Sequence, residues 1–151
     1  MTYTNSSTGS LVNGTTSTNA TTDTPGNNQF IIETSSPEDW RIPQNDNLWQ
    51  GEVGTNNPCP HGFRLPTNTE TGTLVSNESI TSLTSAFNSS LAFSAAGRIN
   101  TDGIVTQQAS QQIIQTSTVS GSSVRVNRFN NNSGTPNFDR ARGSSVRCIK
   151  N

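Results

Sequence analysis

Residues 57–70, NPCPHGFRLPTNTE, hold an unusual density of side chains that fix backbone shape. Pro58, Pro60 and Pro66 lock φ and push the residues before them toward extended conformations. Gly62 permits a turn that a Cβ would oppose. Phe63 and Leu65 alternate around Arg64, so a short extended segment can bury both apolar side chains. Thr67 stands three residues before Glu70, the spacing of a capping box, in which the hydroxyl accepts from the Glu70 N–H and the carboxylate reaches back. The stretch predicts a cysteine-anchored turn, a short strand and a helix start.

Composition narrows what can surround it. Only 28% of the chain is apolar, a level that accompanies disorder when net charge is high. Here charged residues are 13% and the formal net charge is −1. The polarity comes from Ser, Thr, Asn and Gln, which suits β-rich surfaces on secreted proteins, adhesins and virion fibres. Near-zero net charge supplies no general field for nucleic acid or an acidic membrane. No apolar run approaches the ~18 residues that cross a bilayer. No signal-peptide pattern follows Met1, so the sequence reads as a mature fragment or as a phage product freed by lysis. Composition leaves Cys59 and Cys148 open as buried free thiols or as a disulfide.

Residues 1–22 are rich in Thr, Ser and Asn, with Tyr3, Leu11 and Val12 nearly alone as large apolar residues. They read as an N-terminal arm or linker, with one domain over 23–151. A neighbouring copy is the simplest partner to order such an arm. The run 30–32, FII, predicts a short strand, and 35–39 a turn. Trp40 and Trp49 read as packing residues in preference to sugar-stacking ones, because the chain lacks other large apolar area. Leu74, Val75, Ile80, Leu83 and Phe87 give an incomplete helical period, which predicts one or two short helices between 67 and 87. Leu91, Phe93 and Ala95 alternate as a strand that continues to Arg98 and Ile99. NTDG at 100–103 predicts a hairpin turn, with a return strand from Ile104. Further strands are expected at 111–119 and 124–129, joined by a turn at 120–123. Residues 130–137 read as a polar loop. Residues 144–149 read as a closing strand, with Val146 and Cys148 on one face and Arg147 on the other.

The stretch CPHGFRLPT resembles the CPxGxRLPT signature of the Fibrobacter succinogenes major paralogous domain family. TDTPGNNQFI, DWRIPQNDNLWQG, AFNSSLAFSAAGRINTDG, STVSG and DRARGSSVRCIKN resemble further family blocks in family order, from about residue 22 to 151. The resemblance implies an α+β, C-type-lectin-like fold, with short helices packed on a twisted antiparallel sheet, in an extracellular protein. It also favours a Cys59–Cys148 disulfide over free thiols; a loop of that span is worth roughly 4–5 kcal/mol in the chain-entropy account. The chain departs from the family where Thr71 follows Glu70 and where Gln115 begins QTST, since the family usually has tryptophan at both places. The family's usual further N-terminal part, with its own strand and aromatic residues, is not recognisable either. The CPxGxRLPTxxE pattern is similar as well to that of formylglycine-generating enzymes, which are longer and resemble one another around a catalytic cysteine pair. Cys59 in a turn and Cys148 in a terminal strand read instead as structural.

Signals for catalysis are poor, and no enzyme activity, cofactor or metal is expected. His61 is the one histidine, set in a tight turn without an acid at a telling spacing. Neither a phosphate-binding Gly-rich loop nor a G-x-S-x-G elbow is present. NDN at 45–47 has residue types that ligate calcium, but turns use the same residues. The better lead is a polar face. Gln111, Gln112, Gln115, Arg125, Asn127, Arg128, Asn130, Asn131 and Asn132 fall on neighbouring predicted strands and a loop. With Val124 and Val126 facing the core, alternation turns Arg125 and Asn127 outward and brings Gln115 beside them. Amides and guanidinium groups there suit sugar hydroxyls or a protein receptor. C-type-lectin-like domains of this kind also serve as variable proteins of diversity-generating retroelements, whose variable codons favour Asn near the C-terminus, and residues 127–137 resemble that pattern. The expected function is an extracellular recognition or adhesion module on a cell or virion surface, such as a phage receptor-binding domain. The alternative is a structural subunit of a filament or virion that assembles as a homo-oligomer through residues 1–22.

Overall fold

Thr67 does start a helix. In the computed structural model of the chain, which describes residues 13–130 and 133–151, the element order is β1 (Thr15–Thr16), β2 (Phe30–Ile31), β3 (Phe63–Arg64), α1 (Asn68–Asn77), α2 (Leu83–Asn88), β4 (Arg98–Ile99), β5 (Val105–Thr106), β6 (Gln112–Ser120), β7 (Ser123–Phe129), β8 (Asn137–Asp139) and β9 (Ile149–Lys150). The Glu70 N–H donates to Thr67 Oγ1 at 3.2 Å and the Thr67 N–H to Glu70 Oε2 at 2.8 Å, closing the capping box. Ahead of it, Asn57 staples the turn: its Nδ2 donates to the carbonyls of Glu52 and Phe63, and its Oδ1 accepts from the Cys59 N–H. A second capping box, Ser82 with Ser85, opens α2. Both helices are short and present little apolar surface; Thr71 and Ala86 are their buried positions.

The main sheet has the order β6-β7-β8 and is antiparallel. The turn between β6 and β7 is the one expected at 120–123, with Ser120 opposite Ser123. Register sets the two faces. Ile114 lies opposite Asn127, and Gln112 opposite Phe129, so these four share one face; Ile113 opposite Arg128 and Gln115 opposite Val126 share the other. The first face packs Ile114 and Phe129 with Ile80, Ala86 and Phe93 beneath the helices. Phe93 and Phe129 stack with ring centroids 5.6 Å apart. The second face packs Ile113, Val124, Val126 and Phe138 with Trp49, as expected for that tryptophan. The sheet therefore carries an apolar cluster on each side.

Smaller ladders close the fold. β3 and β9 pair antiparallel, and the Cys59–Cys148 disulfide lies beside them with Cα atoms 5.8 Å apart. The NTDG hairpin forms between β4 and β5, with Gly103 at φ 80°, where a glycine is favoured. β1 runs parallel to β2, and Ala20 bridges Arg41, so residues 15–20 of the segment read as an arm bond to the same chain. Residues 1–12 lie outside the described residues. The molecule is thus a mixed, sheet-rich domain with two short helices, antiparallel sheets and one disulfide.

Three local expectations are corrected. The strand expected from Leu91 to Ile99 forms only at Arg98–Ile99: Ala92 and Phe93 donate back to the Ser89 and Ala86 carbonyls, so their hydrogen bonds close the end of α2 instead of forming a ladder. The closing strand is only Ile149–Lys150, and Val146 is exposed. Phe63 is 37% exposed while Leu65 is 1% exposed, so the alternation at 63–65 buries one of its two apolar side chains.

Candidate functional site

The predicted polar face does not form. Gln111 and Asn127 are each 3% exposed, and Gln112 is likewise buried. The outward assignment of Asn127 fails because both sides of β7 are covered, so alternation moves a side chain from one apolar cluster to the other and not from core to solvent. Gln111 turns inward to accept a hydrogen bond from Arg98 Nη1 at 3.0 Å. Gln115 is half-buried, its Nε2 donating to the Thr116 carbonyl. Arg125 is half-buried and donates to the Thr135 carbonyl at 2.8 Å. Arg128 holds Gly134 through two backbone hydrogen bonds, and Asn130 brackets Ser133. Register sets Arg125 and Arg128 on opposite faces, so these two do not converge. Asn131 and Asn132 lie outside the described residues.

QTST at 115–118 does structural work. Between the pairs Gln115–Val126 and Val119–Val124, β6 advances four residues while β7 advances two, an irregularity that places two extra residues on β6. The bulged residues turn toward the start of α1. The Ser117 N–H donates to the Pro66 carbonyl at 2.9 Å, and Thr118 Oγ1 accepts from the Asn68 N–H at 2.8 Å. Thr116 Oγ1 donates to the Arg125 carbonyl at 2.6 Å, which satisfies a hydroxyl with no solvent exposure.

A second polar network surrounds Arg140, whose side chain is 1% exposed. Its Nη2 meets Asp46 Oδ1 at 2.6 Å and the Gly121 carbonyl at 3.1 Å, and its Nη1 donates to the Asn45 carbonyl at 3.0 Å. One guanidinium thereby ties the 45–46 loop to the β6–β7 turn. Asp39 is farther, with Oδ2 at 3.8 Å from Arg140 Nε, and neither atom has a hydrogen-bond partner. Burial raises the Asp39 pKa, and the hydrogen bond from the Arg41 N–H and the two nearby arginines only partly oppose it. Asp46 moves the other way, lowered by the Gln44 amide and by Arg140. The residues considered for calcium are engaged within the chain: Asn45 Nδ2 donates to Asp23, and Asp46 faces the Arg140 cation. Among the described residues no three His, Cys, Asp or Glu side chains converge as a ligand set.

Beside this network opens a cleft of about 220 Å³, lined by Pro25, Gln29, Phe30, Trp40, Arg142 and their neighbours. Phe30 forms a buried wall, Trp40 is half-buried and Gln29 is exposed at the rim. The cationic groups at the cleft are already matched. Arg142 Nε donates to Asp139 Oδ2 at 2.8 Å, its guanidinium lies 5.2 Å from the Phe138 centroid, and Arg140 is held as described. What the cleft offers an incoming molecule is aromatic surface and the Gln29 amide, whose Nε2 also donates to the Thr15 carbonyl at 3.2 Å, not free charge.

No family model, curated protein or solved structure matches the chain. The cleft draws on three of the sequence blocks singled out above, at 22–31, 39–51 and 139–151, yet none of its residues belonged to the predicted polar face. Trp40, expected as a packing residue, is half-buried and leaves part of its ring at the cleft. His61, by contrast, is fully exposed in its turn, with Nε2 3.8 Å from Glu52 Oε1.

Proposed function

We propose that this chain is a C-type-lectin-like, extracellular recognition module, an adhesin or receptor-binding domain that engages a surface glycan without chemical turnover. The observation that carries the reading is the Trp40 cleft, where an aromatic wall stands beside an exposed amide and the local charges are internally neutralised. Aromatic rings stack on the C–H face of a sugar, and amides pair with its hydroxyls. The disulfide supports an oxidising compartment. One such cleft makes a weak site, because each hydrogen bond contributes only about 0.5–1.5 kcal/mol net, so useful avidity calls for several copies displayed together. The filament-subunit alternative draws less support, because residues 15–20 bond to their own chain.

The test is a glycan array and a whole-cell binding assay with Trp40→Leu and Gln29→Ala, each checked for an intact thermal transition. The expected result is a loss of binding of about tenfold or more for Trp40→Leu and a smaller loss for Gln29→Ala. Wild-type binding by both folded variants would overturn the assignment of the cleft.

A further inference from the structure

The segment that lines the Trp40 cleft continues into a second, more polar niche. It has a volume of about 150 Å³ and is lined by Ala92, Phe93, Ser94, Gln112, Ser145 and Arg147, with Ile114 and Val146 beside them. Arg147 is exposed at its edge, its guanidinium 5.4 Å from the Phe93 centroid and its Nη1 donating to the Leu91 carbonyl at 2.9 Å. Arg41, Arg64, Arg140 and Arg142 each hold a carboxylate of the chain; among the described residues none pairs with Arg147. Ring contact and carbonyl tether hold the guanidinium in place while the rest of its donor fork remains available.

The niche has a polar wall as well. Gln112 is 4% exposed, and its two hydrogen bonds are long, 3.3 Å from the Ala96 N–H and 3.2 Å to the Ile113 carbonyl. Its amide nitrogen has a second hydrogen to donate. Ser94 and Ser145 add hydroxyls on either side. Ala92, at the same niche, adopts φ 46°, a left-handed conformation that costs energy for any residue with a Cβ. Strain of this kind concentrates at binding sites, where the surrounding structure holds it.

From these observations we infer that the Arg147 niche is a subsite for the carboxylate of an acidic sugar, a uronic or sialic acid residue. This rests on the reading of the chain as a glycan-recognition module. A planar guanidinium fork matches a carboxylate in a bidentate pair. A single free cation with otherwise uncharged walls suits a monoanion better than a phosphate. Gln112, Ser94 and Ser145 supply partners for ring hydroxyls, while Phe93 and Ile114, both core residues, close the floor of the niche. The volume lies well below the ~300 Å³ at which pockets take a whole drug-sized ligand, so the niche accepts the acid-bearing end of one sugar and leaves the rest of a chain in solvent.

The test is a titration of isotopically labelled protein with sodium glucuronate, methyl glucoside and sodium acetate, followed through backbone amide shifts. Glucuronate is expected to move the amides of Ser94, Ser145 and Arg147 with millimolar affinity, and methyl glucoside to leave them in place. Arg147→Met, which keeps an apolar stem over Phe93, should raise the glucuronate Kd at least tenfold. Arg147→Lys, which keeps the charge but loses the fork, should raise it by less. Equal glucuronate binding by wild type and Arg147→Met, or shifts confined to other residues, would overturn the subsite. Acetate binding as tightly as glucuronate would overturn the sugar assignment. The outcome separates from that of the Trp40 cleft: neutral-glycan binding lost in Trp40→Leu but retained in Arg147→Met leaves the cleft standing whatever the acid titration gives.

Discussion

Glu70 concentrates three interactions in one carboxylate. It accepts from the Thr67 N–H and hydroxyl and pairs with Arg64, Nη2 to Oε1 at 2.6 Å. The Arg64 guanidinium first, and the Thr67 N–H after it, hold the Glu70 pKa at about 2, below its ordinary 4.5. A depressed folded pKa contributes stability that is complete above the unfolded value and is lost as pH falls through the folded one. The window for Glu70 therefore runs from about pH 4.5 down to about pH 2. Its side chain is 40% exposed, so screening trims the contribution well below the bare shift, to about 1 kcal/mol. Glu70→Gln should lose about that much in urea unfolding at pH 7, and its curve should converge with the wild-type curve near pH 2. A constant offset across that range would show that the charge is not the source.

At the scale of elements, the sequence was legible where a local rule decided the outcome. Thr67 and Glu70 announced α1 through their spacing, and the NTDG turn announced the β4–β5 hairpin through its backbone demands. It was illegible where the decision came from contacts distant in the chain. The strand reading of 91–96 failed because α2 took those backbone donors, and the bulge at 115–119 is set by the far start of α1. The polar face failed for the same reason: nothing local to VRVNRF says that helices cover one side of β7 and Trp49 and Phe138 the other. Asn127 turns this into a measurement. Its Nδ2 is buried without a partner, and such a group costs about 1–3 kcal/mol of desolvation. Asn127→Val, close in volume and favoured in strands, should stabilise the protein by about 1 kcal/mol in chemical denaturation. A substantial destabilisation would show that the amide has a partner in solution and would return Asn127 to the polar network.

For the whole molecule the question is what offsets so small an apolar content. The two clusters on the main sheet are modest, and the helices add little burial of their own. The turn after residue 57 and the C-terminal β9 are held by the two-residue β3–β9 ladder, by the Asn151 side chain reaching Glu52 and Arg64, and by the disulfide. Cys59 and Cys148 are 89 positions apart. For a loop of that length the chain-entropy account gives roughly 4–5 kcal/mol, a large part of a typical net stability of about 5–15 kcal/mol. The ladder alone is too short to replace it, since isolated two-stranded pairs are marginal in water. Cys148→Ser, or reduction of the wild type, should therefore lower the melting temperature by on the order of 10 °C, at roughly 2–4 °C per kcal/mol for a domain of this size. Calorimetry of both forms checks this, and an unchanged transition in both would mean that the β3–β9 ladder and the clusters hold the chain without the bridge. If the reduced form instead melts in two steps, the C-terminal segment carrying Arg147 is expected to open first. Acid-sugar binding should then fade at a lower temperature than the loss of the β6–β7 sheet, because the niche depends on the segment the disulfide retains.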